Sequence, residues 1–384
     1  MINGRIVVLQ VIGGLSIGGA ESRIMDILRE LDRDRFTYDF LLNEAPGQYE
    51  EEARSLGSNI YRTVKYKVYN KGRYLSELKA FFAAHPEIDI VQGHSTNTAA
   101  LYLPLAKAAG IPVTIAHARS AGVEPGIAGW LKRRTRRGLF DKSDICFACS
   151  REAAAAVFGK EHVKEVRIIP NAIKADRFVP DEEHLQSGIR LRKELGLGDS
   201  YVVGHVGRFH YAKNHEFLLK VFSAIIKEKQ NAKLLIVGDG SERPGIEALI
   251  REMKLTDKVI LAGMQKDTAK YYHAMDVLVF PSFYEGLPGT LVEAQCAGLP
   301  CVASDRITRD VDITPLLKYM PLEEDAGKWA KTAIEMSDAY PAGRRDGMMK
   351  YCDMMKEAGF DVKSQVRDLE HMYKELLHEY GKDR

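Results

Sequence analysis

Charge of one sign is nearly absent from this chain. Its 384 residues carry 55 Lys and Arg against 53 Asp and Glu, a formal net charge of +2, so no strongly basic face of the kind nucleic acid requires is expected. Cysteine is scarce. Five residues, an odd number, argue against a disulfide framework and for a reducing compartment, so a cytoplasmic location is expected. Cys146 and Cys149 form a C-x-x-C inside the apolar run ICFACS. Residues three apart on a strand face opposite ways, so this pair cannot share a metal there and reads as core. Long apolar runs are also missing. No stretch approaches the ~18 uninterrupted apolar residues of a membrane span, and the longest candidate, 99–118, is broken by Pro104, Lys107, Gly110 and Pro112. The apolar run after Arg5 is short and no small-x-small cleavage pattern follows it, so it is expected to be a first buried strand rather than a signal sequence.

The length fits two domains of ordinary size, and 45% apolar with 28% charged residues is usual for a globular enzyme. Short apolar runs alternate with helical patterns. In the first half strands are expected at Ile6–Val11, Tyr38–Leu42, Ile60–Val64, Ile88–Gln92, Val113–His117, Ile145–Ala148 and Val166–Ile169, with helices over Ala20–Leu31, Tyr74–His85 and Thr98–Ala109. A new sheet is expected to open at Tyr201–Arg208 and continue through Leu234–Gly240, Val259–Gly263, Val277–Phe280 and the run from Cys301. Such alternation predicts α/β architecture, parallel sheets with helices on both faces. From Gly327 onward the pattern is helical, and Val366, Leu369, Met372, Tyr373, Leu376 and Leu377 fall at helical intervals.

The stretch Tyr271–Ser304 reads strand, loop, helix, strand, and its loop falls at the carboxyl end of a strand, where open parallel sheets bind ligands. Two carboxylates, Glu285 and Glu293, flank the start of the helix. The run Gly286-Leu287-Pro288-Gly289-Thr290 between them would leave backbone N–H groups facing an anion such as a diphosphate. A lone Glu293 reads as a dipole partner or a capping acid. Arg208, closing a strand, and Lys213, five residues on, offer a planar fork and a point charge at the same sheet edge. The turn Gly13–Glu21 fits neither a dinucleotide fingerprint nor a phosphate-binding loop with its lysine, and reads as a flexible strand-to-helix turn.

The run FPSFYEGLP followed by Glu293 and EAQCAGLP resembles the E-x7-E signature of the retaining GT-B glycosyltransferases of family 4, the group 1 enzymes of the polysaccharide-biosynthesis type. The resemblance implies two Rossmann-like, doubly wound domains facing a cleft. The first would span 1–175, with a C-terminal helix (365–384) crossing back to it, and the second 176–364. It also implies roles. Glu285 would meet the donor sugar and Glu293 the ribose, while Arg208 and Lys213, matching G-R-x4-K, would stabilise the departing nucleotide diphosphate. Gly18 and Gly19, in a GG-A-E loop, would face that diphosphate, and Gly238, Gly263 and Met264 would lie near the base. His117, at a strand's carboxyl end, would lie near the sugar, whereas His94 keeps the structural reading. Ile169–Ile173 is a variant of the IPNGID element that closes the first domain.

The implied reaction moves a sugar from a nucleotide-diphosphate sugar, expected to be UDP-linked, to a glycan or lipid-linked acceptor. No metal and no cofactor beyond that co-substrate are expected. Asp310-Val311-Asp312 has the D-x-D form that another glycosyltransferase fold uses for metal, but it is expected to lie past the last strand as a surface turn. The basic run Lys132–Arg137 has two readings, a solvated helix face or a peripheral contact with anionic lipid on the inner face of the membrane. The rivals to transfer are a nucleotide-sugar epimerase or hydrolase on the same fold, and a non-catalytic nucleotide-sugar binding module.

Overall fold

The computed structural model describes residues 4–119, 130, 134–341 and 347–381. They form two compact units, Met1–Asn171 with Val362–Arg384, and Ala172–Asp361.

The first unit is built on seven parallel strands: β1 (Ile6–Val11), β2 (Phe36–Leu42), β3 (Ile60–Arg62), β4 (Ile90–Gly93), β5 (Val113–Ala118), β6 (Ile145–Ala148) and β7 (Arg167–Ile168). Their order across the sheet is β3-β2-β1-β4-β5-β6-β7. Helices follow β1 at Gly19–Glu30 and β4 at Thr96–Ala108, and a further helix, Lys71–Ala84, precedes β4. The central strands are buried on both faces, which is why they read as continuous apolar runs rather than alternating ones. Among the polar exceptions, Gln10 and Gln92 are both almost fully buried and face each other in register across β1 and β4. The expected strand at Ile88 begins two residues later, because Ile88 donates its amide to His85 in the turn that ends the preceding helix.

The last helix, Val362–Tyr380, belongs to this first unit. Val366, Leu369, Tyr373 and Leu376 are buried, as their helical spacing predicts. Glu370 accepts the backbone N–H of Asp32 at 2.8 Å, and the Tyr373 hydroxyl lies 2.8 Å from that of Tyr38.

The second unit has six parallel strands: β8 (Val202–Val206), β9 (Lys233–Val237), β10 (Val259–Leu261), β11 (Val277–Phe280), β12 (Cys301–Ser304) and β13 (Leu317–Met320), ordered β10-β9-β8-β11-β12-β13. Its core joins Val203, Leu234, Val277 and Val302 of the sheet to Phe222 and Trp329 of the flanking helices. Each such aliphatic or aromatic side chain contributes about 1.5–3 kcal/mol on full burial. The chain leaves β8 toward one edge through β9 and β10, then returns to β11 on the other side. The crevice at the carboxyl ends of β8 and β11 is therefore the sheet's switch point.

Strand β13 is absent from the sequence reading, and its presence corrects the placement of Asp310-Val311-Asp312. This segment lies in the connection between β12 and β13, not past the last strand. Val311 is fully buried there and its carbonyl accepts from Gln295 at 2.9 Å, so the turn is pinned by its apolar middle residue. All five cysteines are buried. Among the described residues no helix is long and apolar enough to cross a membrane.

Candidate active site

Two loops meet at the switch point of the second unit. After β8 the chain passes Arg208, buries Phe209, and makes a tight turn over Tyr211–Lys213. His210 caps that turn by accepting the Ala212 amide at 3.2 Å, and Asn214 reverses the backbone in a left-handed conformation before the helix His215–Glu228. The loop after β11 is tied to this turn, since Phe283 donates its amide to the Ala212 carbonyl at 2.8 Å and stacks on Tyr211 at 4.9 Å.

The tie sets the central contact. Lys213 Nζ lies 2.7 Å from Glu285 Oε1, with both side chains only 15% exposed. The same ammonium sits 4.5 Å from the Phe280 ring centroid, a cation–π contact at the end of β11. Arg208 is exposed and holds no ion pair among the described residues. One cation is thus neutralised by the loop carboxylate, and the other is left open.

Behind Lys213 lie two buried histidines. His205 Nδ1 donates to the Val279 carbonyl at 2.9 Å, which leaves Nε2 as an acceptor. Burial first, then His215 and Lys213, hold His205 well below the ordinary imidazole range, and burial pushes His215 down to about 4. Both are neutral at pH 7, so the positive charge here belongs to Lys213 and Arg208.

Glu293 lies within the helix Gly289–Cys296, is 7% exposed, and accepts from the Tyr272 hydroxyl at 2.7 Å. It is therefore not a capping acid at the helix start. Tyr272, on the helix before β11, has no role in the sequence reading. The expected row of open amides is shortened, since Gly289 donates its own to Leu287 at 3.0 Å. Thr290 Oγ1 donates to the Val206 carbonyl at 3.3 Å and fastens the helix start to the end of β8. Gly286, Leu287 and Pro288 are buried beneath this connection.

Gly238 closes the strand ends on the other side. Its φ is 140°, its amide donates to the Gly263 carbonyl at 2.8 Å, and a Cβ there would run into the carbonyl oxygen of Gly207. Only glycine permits both the backbone angle and this approach. Met264, next to Gly263, is 49% exposed and free to contact a ligand.

In the first unit, Gly18 caps the helix Gly19–Glu30 in an extended conformation, and a Cβ on it would collide with the Glu21 carboxylate, whereas space around Gly19 is open. His117, in β5, is 1% exposed, and His94 is bonded to Gln10 at 2.6 Å and to Arg119 at 3.3 Å. Burial, with Arg119 adding to it, holds both histidines well below their usual pKa.

In the basic run, Lys132 and Arg133 lie outside the described residues. Arg134 and Arg137 are exposed, but Arg136 is buried, so the run is not a uniformly solvated face. Arg134 stacks over the exposed Trp130 at 5.5 Å, beside a cleft of about 670 Å³ that also includes Phe140 and His162.

Comparison with known proteins accords with this geometry. The model of Glycosyltransferase Family 4 matches residues 17–177, and that of Glycosyl transferases group 1 matches residues 200–335. A proposed glycosyltransferase, EpsF of Bacillus subtilis (strain 168), is 30% identical over 95% of this chain and 96% of its own. The UDP-Gal:alpha-D-GlcNAc-diphosphoundecaprenol alpha-1,3-galactosyltransferase of Escherichia coli is 28% identical over 56% of this chain and 58% of its own. Among solved structures, Anabaena Alr3699/HepE in complex with UDP-glucose superposes with a TM-score of 0.76 at 16% identity, covering 97% of this chain and 100% of that one. The fold is GT-B, and the chain belongs to the family 4, group 1 glycosyltransferases.

Proposed function

We propose that this glycosyltransferase moves a sugar from a UDP-sugar to a hydroxyl of a glycan or lipid-linked glycan, with retention of anomeric configuration. The Lys213–Glu285 pair carries the reading, because it places a cation and a carboxylate side by side at the switch point of the sheet. As the bond to the diphosphate breaks, negative charge grows on the leaving oxygen and positive charge on the sugar. Lys213 and Arg208 take the first, Glu285 holds sugar hydroxyls, and Glu293 with Tyr272 receives the ribose. His117 is the further residue assigned to orienting the sugar, and the acceptor's proton passes to the leaving phosphate oxygen as the new bond forms on the same face. The UDP-Gal in the name of the Escherichia coli relative and the UDP-glucose bound to the Anabaena protein support a UDP-linked donor.

The test is thermal unfolding with UDP, GDP or ADP and their sugars. A nucleotide at about 100 times its Kd stabilises the fold by about 2.7 kcal/mol, so UDP is expected to raise the Tm by several degrees while GDP and ADP do not. A larger shift with GDP would overturn the choice of nucleotide. Release of free sugar or of an epimer without acceptor, as fast as transfer, would replace transferase by hydrolase or epimerase.

A lipid-linked acceptor also gives the basic run a role at an anionic membrane surface. Arg134, which stacks over Trp130, and Arg137, which lines the same cleft, are both exposed and would contribute about 1 kcal/mol apiece. Replacing both by serine is expected to weaken sedimentation with phosphatidylglycerol vesicles about 30-fold, and equal binding to neutral phosphatidylcholine vesicles would remove the electrostatic contact.

A further inference from the structure

We infer that Gln92, held by Tyr373 of the C-terminal helix, fixes His117 in the neutral tautomer that carries its proton on Nε2. Gln92 is thereby a positioning residue for this histidine. The inference rests on the proposed sugar-orienting role of His117 for its consequence, but not for its geometry.

Three hydrogen bonds run in series. The Tyr38 and Tyr373 hydroxyls are 2.8 Å apart, the Tyr373 hydroxyl is 2.6 Å from Gln92 Oε1, and Gln92 Nε2 is 2.8 Å from His117 Nδ1. Each hydroxyl has one proton to give. If Tyr373 donates to Gln92, its oxygen accepts from Tyr38, and every proton in the series has an acceptor. The amide nitrogen of Gln92, a donor only, then faces His117 Nδ1, which must be the acceptor, so the ring proton is on Nε2.

Rotating the Gln92 amide would reverse this order at a cost. The NH2 group would then face Tyr373, and one of the two tyrosine protons would have no acceptor among the described residues, although both hydroxyls are buried. The observed placement of the amide, oxygen toward Tyr373 and nitrogen toward His117, satisfies both tyrosines and leaves the one unspent proton on His117 Nε2.

The neighbouring histidine obeys the same rule. Arg119 Nε, a donor only, meets His94 Nδ1 at 3.3 Å, so His94 Nε2 carries the proton and donates to Gln10 Oε1 at 2.6 Å. His117 differs in one respect. Its Nε2 is buried and has no hydrogen-bond partner among the described residues. An N–H in that position is a donor with its capacity unspent. The register of β1 and β4, which sets Gln10 beside Gln92, provides one amide to each histidine.

Nitrogen-15 NMR of the full chain labelled at histidine, without ligand, reads the tautomer directly, and His117→Asn assigns the signal. The wild type is expected to show protonated Nε2 and unprotonated Nδ1. In Gln92→Glu the donor amide is replaced by an acceptor-only carboxylate, so the proton is expected to move to Nδ1, with kcat reduced about 10- to 100-fold and the donor KM changed less than threefold. Tyr373→Phe releases the amide and is expected to give a mixture of tautomers. It also serves as the test should Gln92→Glu fail to fold. A wild type protonated at Nδ1, or a His117 signal unmoved in both variants, would overturn the inference. A protonated Nε2 in an enzyme whose His117→Asn variant transfers sugar normally would instead remove the sugar-orienting role and leave the tautomer assignment standing.

Discussion

Glu285→Ala is expected to lose transfer by about two to three orders of magnitude in kcat while binding UDP at least as tightly as the parent. The asymmetry follows from the ion pair. In the free protein Glu285 neutralises Lys213 at 2.7 Å, in a setting where each side chain is only 15% exposed. A diphosphate must draw the ammonium away from this carboxylate or share it. Removing the carboxylate frees the cation for phosphate but takes away the group assigned to the sugar. Isothermal titration with UDP and initial rates with the full donor separate the two effects. Normal turnover in Glu285→Ala would end the assignment of this residue, and a large loss of UDP affinity would show that it binds the nucleotide instead.

Lys213→Met is expected to do the reverse and weaken UDP binding by about 2–5 kcal/mol, the range for leaving a largely desolvated partner charge unpaired. Methionine keeps the apolar stem against Phe280, so the fold is expected to survive. The loss has two parts, a missing cation and a stranded Glu285 carboxylate that now repels the incoming phosphates. The double variant Lys213→Met with Glu285→Ala should therefore bind UDP more tightly than Lys213→Met alone, although it transfers nothing. Strictly additive losses in this cycle would mean that the two side chains do not act on the same ligand. Arg208→Ala, at an exposed side chain without an ion pair among the described residues, should cost less than Lys213→Met, because it leaves no carboxylate behind.

Much of this site is legible in the chain because its chemistry is local. Val277–Phe280 and Cys301–Ser304 are apolar runs of strand length, and the loop between them carries Glu285 within a few residues of the strand end that positions it. Lys213 could be paired with that loop in advance because two parallel strands bordering a switch point bring their following loops together. Strand β13 was not legible. In LKYM only Leu317 is buried, and Lys318 is exposed on the edge, so neither alternation nor an apolar run marks it. Tyr272, Gln92 and Tyr373 were missed for another reason. Each is an unremarkable residue in a helix or strand, and its meaning depends on a partner far away in sequence, as with Tyr373 and Gln92. Arg136 shows the limit of reading charge alone, since a basic run gave no sign of which arginine would be buried.

The return of the helix Val362–Tyr380 to the first unit has a consequence for synthesis. The second unit is one continuous stretch, Ala172–Asp361, and takes no element from elsewhere in the chain. The first unit, though made earlier, lacks the partner for Tyr38 and Gln92 until Tyr373 has emerged. The unit that is begun first thus waits for the last residues of the chain, and the hydrogen bonds around His117 are among the last to be made.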